Sequence, residues 1–160
     1  RPADWPRLMQ ECLRLLQPGG VLRLTESEGT FVNSPALETL SRMFNQALYR
    51  AKQSLSPTGY FLGVVPMLKW FLRKADYQHV RHMAHAVDFS AGTEAYQDSF
   101  KDMRALFSLG QPFLLKWGVT TKEEMEELYQ QMLTEMLSED FCGMGFLLTA
   151  WGEKPQIERG

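Results

Sequence analysis

Residues Leu8 to Glu26, LMQECLRLLQPGGVLRLTE, decide the fold. Leu8, Met9, Cys12, Leu13, Leu15 and Leu16 recur at helical spacing, with Arg7, Gln10, Glu11 and Arg14 on the other side. Pro18 has no N–H to donate and its ring clashes with the preceding turn, so the helix stops there. Gly19 and Gly20 suit the positive φ angles that a helix-to-strand reversal often needs. Val21, Leu22 and Leu24 then form a short apolar strand that Thr25 and Glu26 close. A helix running straight into a strand is half of an α/β crossover unit, so the fold class is α/β.

Outward from this stretch, Asp4 and Pro6 mark the start of the first helix. Ser27 to Asn33 reads as a loop, because it is polar and carries a glycine. Ser34 followed by Pro35 opens a second helix to about Gln53, with Leu37, Leu40, Met43, Phe44, Ala47, Leu48 and Ala51 inward. Residues 54–59 break the chain, and a third helix runs from Val65 and Pro66 to Lys74 with Trp70 and Phe71 as core. Tyr77 to Phe89 is harder to place: His79, Arg81, Met83, His85 and Val87 alternate with Val80, His82, Ala84 and Ala86. Thr93 to Trp117 reads as a helix with Met103, Leu106, Phe107, Leu109, Phe113, Leu114 and Trp117 inward, bent or split at Gly110 and Pro112. Thr120 or Thr121 with Glu123 or Glu124 forms a capping box for a helix reaching about Leu137. A last strand follows Glu139 and Asp140.

At 160 residues one domain is expected over 1–160. The net charge of −2 argues against nucleic acid or an anionic membrane as partner. The apolar stretch from Tyr60 to Leu72 is interrupted by Pro66 and Lys69 and is too short to span a bilayer. Cys12 and Cys142 lie in apolar patterns and read as reduced, buried thiols, which together with the lack of a leader pattern suggests a cytoplasmic location.

Two stretches resemble a known family. The pattern Leu-x-x-x-x-Arg-x-Leu, then a residue and Pro18-Gly19-Gly20, then an apolar strand ending in an acid is similar to the class I S-adenosylmethionine-dependent methyltransferases, just after their fourth strand. Phe141 to Pro155, FCGMGFLLTAWGEKP, resembles the closing antiparallel strand of that fold and its Trp-Gly-x-Lys-Pro exit. The resemblance implies the C-terminal part of a Rossmann-like methyltransferase fold, strands 5, 7 and 6 in that order, with Tyr77 to Phe89 as the sixth strand. It also implies helical lid insertions at 27–60 and 93–117 over the C-terminal ends of the strands. The cofactor would be S-adenosylmethionine and the substrate a small-molecule methyl acceptor.

The donor site itself is not expected in this chain. Such a site needs a Gly-rich turn after a first strand and an acid closing the second, and no G-x-G-x-x-G occurs. Gly143 and Gly145 precede no helix. The chain therefore reads as a fragment that is inactive alone, and the side of the strand at 21–24 that would meet its missing neighbour is left open. An open apolar edge of that kind implies a homodimer through residues 21–24.

Several residues are candidates for chemistry. Glu26, His82 and His85 are candidate proton acceptors, since imidazole and carboxylate can both take a proton from an acceptor hydroxyl. Glu26, Ser27, Tyr49, Tyr60 and Tyr96 are candidate substrate-binding residues, the tyrosines as an apolar wall with a hydroxyl to orient the substrate. His79, His82 and His85 do not form a metal site by spacing: on a strand 79 and 85 share a face and 82 takes the other. The rival reading, from another class, is a non-catalytic helical binding or dimerisation module.

Overall fold

The structure is a computed structural model, and it describes residues 4–156. It is mixed α/β: a three-stranded antiparallel sheet with five α-helices. In chain order these are α1 (Trp5–Leu15), β1 (Val21–Val32), α2 (Pro35–Arg50), a 3-10 turn (Val65–Met67), α3 (Leu68–Lys74), β2 (Gln78–Asp88), α4 (Tyr96–Lys116), α5 (Lys122–Met136) and β3 (Gly143–Glu153). The sheet order is β1-β3-β2, and β3 runs antiparallel to both neighbours, so β1 and β2 are parallel to each other.

The two stretches quoted above meet in space. Val21 pairs with Glu153, the Gly19 N–H donates to the Lys154 carbonyl (3.0 Å), and the Lys154 N–H donates to Gly20 (2.8 Å). The Lys154 ammonium then donates to the carbonyls of Leu16 (2.7 Å) and Arg14 (3.4 Å). It thus satisfies acceptors left open at the end of α1 and places a cation at the negative end of its dipole. Gly19 does use a positive φ, +78°. Gly20 does not: a Cβ there would stand 2.8 Å from the Gln17 carbonyl, so it is close approach that favours glycine.

Paired residues share a sheet face, and this sorts the strands. Leu22, Leu24, Phe146, Leu148 and Ala150 pack with Met9, Leu68, Phe71, Leu72 and Tyr77 under α1 and α3. Trp5 stacks on Phe71 with centroids 5.4 Å apart, and the Tyr77 hydroxyl donates to the Met9 carbonyl (3.1 Å). A second core, around Leu37, Leu40, Phe107, Leu114, Met125 and Met132, joins α2, α4 and α5. The two helix starts are capped by side chains: Ser34 Oγ accepts from the Leu37 N–H, and Thr121 Oγ1 accepts from Glu124.

Several expectations need correction. Residues 27–32 are not a loop but the second half of β1, because β3 supplies a hydrogen-bonded partner to a stretch whose composition suggested a turn. Helical insertion therefore begins only at Pro35. α4 is not split, since it runs unbroken with Pro112 inside it. Asp4 occupies the N-cap position of α1, but its side chain makes no capping hydrogen bond. Leu8 and Leu15 on α1, Leu109 on α4 and Trp70 on α3 are exposed rather than core, Trp70 lying under the Lys74 ammonium at 5.8 Å. Cys142 is exposed and Cys12 half-buried, and both are free.

Candidate functional site

Between Ser27 and Thr30 the β1–β3 register shifts by one residue, and Gly29 takes φ +83°. An extra residue with glycine in the left-handed region is the form of a G1-type bulge. Its consequence is geometric. Ser27 lies opposite Leu147 and Thr30 opposite Gly145, so the bulge turns both polar side chains to the same face of the sheet. Without it, strict alternation would send Thr30 to the far side.

That face, at the C-terminal ends of β1 and β2, is roofed by α2 and α4 and forms a half-open cavity of about 380 Å³. The floor is Ser27, Gly29 and Thr30 from β1 with Gly145 and Leu147 from β3. Val87 and Phe89 close it at the end of β2. Ser41, Phe44 and Asn45 descend from α2, and Ser99, Met103, Leu106 and Phe107 from α4. The volume falls at the lower end of the range that holds drug-sized ligands, about 300–1,000 Å³. Gly145, which the sequence offered only as a failed cofactor motif, opens this floor by having no side chain.

Glu28 projects from the other face and does structural work. Its carboxylate accepts from the N–H groups of Gly63 (2.6 Å) and Val65 (3.1 Å), which fixes the loop leading into the 3-10 turn before α3. Glu26 sits on the same far face, opposite Leu148, with no hydrogen bond among the described residues. Burial and, second, the neighbouring Glu28 raise its pKa above the usual carboxylate value.

The expected site residues therefore separate. Ser27 lines the cavity; Glu26 does not. His82 lies opposite Ala150 on the far face and is exposed. His85 is on the cavity side, in one row with Leu147 and Ser27, and its Nε2 is buried without a hydrogen-bond partner. His79 takes φ +49° at an irregularity in β2 and places Nδ1 3.0 Å from a Glu153 carboxylate oxygen. No group of three metal-ligating side chains gathers among the described residues. The Tyr96 hydroxyl donates to the Met136 carbonyl (2.7 Å) inside the helical core, and the Tyr49 hydroxyl donates to Pro57 (3.3 Å). Tyr60 is exposed and lines a separate depression with Arg42 and Arg50. None of the three tyrosines lines the cavity.

Apart from Ser27, the residues that do line it were legible only as core or loop. Phe44 and Phe107 have the helical spacing of packing residues, and nothing local distinguishes a side chain that packs from one that packs beside a void. Ser41 and Asn45, four apart on α2, are a polar pair on an otherwise apolar face, which is the one signal that pointed here.

No family model matches the chain, and no curated protein matches it. Among the described residues no helix is long and apolar enough to cross a membrane.

Proposed function

We propose that this chain is the acceptor-binding, C-terminal portion of an S-adenosylmethionine-dependent methyltransferase for a small molecule, acting in the cytoplasm. The observation that carries this reading is the sheet: two parallel strands with an antiparallel one inserted between them, and a cavity at the carboxyl ends of the parallel pair under a helical cap. The Pro-Gly-Gly turn and the Trp-Gly-Glu-Lys-Pro exit, which carry the resemblance, hold each other in place at the opposite end of that sheet.

The residues described here do not fit the methyl donor. The glycine pair at 143 and 145 lies in β3, not in a turn that opens a helix, so this reading needs a donor-binding unit other than the described residues. Two features agree with such a neighbour. β1 is an edge strand, and Val21 and Met83 on the cavity-side face lie open to solvent beyond the reach of α2 and α4. What this chain contributes is positioning of the acceptor; His85 stands on the cavity-side face of the sheet but does not line the cavity, so it is not assigned as the proton acceptor.

Calorimetric titration of S-adenosylmethionine tests the reading. No heat of binding is expected with this chain, and binding is expected with a polypeptide extended upstream through a Gly-rich strand–turn–helix. Binding to this chain alone, or none to the extended form, overturns it.

The open edge favours one further state for the isolated chain. Val21 is exposed at the start of β1, and a homodimer covering residues 21–24 hides it. If the upstream sequence holds no donor-binding unit, that same surface makes the chain a dimerisation module instead.

A further inference from the structure

We infer that the cavity under α2 and α4 takes a neutral, largely apolar molecule bearing one or two hydroxyl or carbonyl groups, and that it excludes organic anions. This deepens the methyltransferase reading and rests on it for calling the occupant the methyl acceptor.

The walls decide the class. No Asp, Glu, Lys, Arg or His side chain lines the cavity. A carboxylate, phosphate or ammonium entering this half-open cavity would give up part of its water with no opposite charge on the walls to meet, a cost that a neutral group does not bear. The surroundings add a sign. A neighbouring depression is lined by Asp88, Glu94, Asp98 and Asp102 and shares Ser99 with the cavity, so the approach on that side repels anions.

The polar groups that remain are neutral, and they lack partners. Among the described residues the hydroxyls of Ser27, Thr30, Ser41 and Ser99 make no hydrogen bond within the protein. Asn45 donates its Nδ2 to the Tyr60 carbonyl (2.9 Å), which leaves its Oδ1 as an acceptor. Ser27 and Thr30 come from the floor, Ser41 and Asn45 from the roof. Apolar walls with a few unpaired neutral hydrogen-bonding groups match a ligand of the same make-up.

Two dyes with one skeleton test this on the chain as it stands. N-phenyl-1-naphthylamine is neutral, and 8-anilinonaphthalene-1-sulfonate carries the same rings with a sulfonate. Fluorescence titration is expected to show saturable binding of one equivalent of the neutral dye, at least tenfold tighter than the anionic one. Gly145→Leu projects a side chain into the cavity from a position where a Cβ meets only Phe89 and Val87 at 3.8 and 3.9 Å, so the backbone accepts it. It is expected to weaken the neutral dye at least tenfold. Ser99→Trp, which blocks from the α4 side, is the second variant, and circular dichroism checks that each is folded.

Equal affinity for the two dyes, or neutral-dye binding unchanged by both variants, overturns the inference. The donor titration is independent of either result. Failure of the dyes with the donor titration as expected removes only the substrate class. Dye binding as expected with the donor titration failing keeps a neutral-ligand site and removes methyl transfer.

Discussion

Glu26 and Glu28 are two residues apart on one strand and one face, yet they play opposite parts. Glu28 meets two backbone N–H groups at a loop; Glu26 meets none and is pushed toward its neutral form by burial and by Glu28. Because the folded carboxyl of Glu26 titrates above its unfolded value, its ionisation at neutral pH works against the fold. The associated stability is complete below the unfolded pKa and is lost as the pH rises through the folded one. Glu26→Gln is therefore expected to raise the unfolding free energy at pH 7, read by urea titration, by on the order of a few tenths of a kcal/mol given how much solvent still reaches the group. The gain should vanish by pH 4. A loss of stability at pH 7 would mean that Glu26 has a favourable partner. From the sequence alone Glu26 reads as the polar end of a strand and Glu28 as part of the loop after it, since the N–H groups that anchor Glu28 belong to residues 63 and 65.

At the scale of elements, helix starts and stops follow local chemistry. Ser34 and Thr121 cap as their spacing suggests, and Pro18 ends α1. The second half of β1 is different, because Ser-Glu-Gly-Thr has no strand preference of its own and becomes strand only against residues 143–147. The link between the Pro-Gly-Gly turn and the chain's last strand also has a measurable share. Lys154→Met removes the cation from the end of α1 and is expected to cost about 0.5–1 kcal/mol at low ionic strength. The cost should shrink in 1 M salt, as a screened charge–dipole contact does. Thermal melts at two salt concentrations check both, and a salt-independent loss would assign the effect to packing of the lysine stem.

For the whole molecule, β1 and β2 are both edge strands among the described residues, and the apolar run at Val21 to Leu24 makes the free side of β1 the one to test. Its outer N–H and C=O groups, with Val21 half-exposed at 52% and Leu15 at 71%, form the surface on which a second chain or an upstream strand would pair. Light scattering of this chain is expected to give twice its mass of 18.4 kDa. Val21→Lys, a charge placed at that edge, is expected to return the monomer while leaving the cavity and its dye binding intact. A clean monomer for the unaltered chain at high concentration would remove the edge as an interface of the isolated form.

The sequence by itself determined the mixed α/β class, the strand that starts at Val21 and most helix ends, because periodicity, caps and proline act over a few residues; the strands at 77–89 and 141–155 come from the family resemblance, and they run over Gln78–Asp88 and Gly143–Glu153. Only the tertiary structure decided that β1 continues to Val32 and that Gly29 bulges. It also decided that Ser27 and Thr30 face one cavity with residues of α2, α4 and β3, while Glu26 and His82 face away. Strand register and enclosed space are relations between residues more than a hundred positions apart, and no local preference along the chain encodes them.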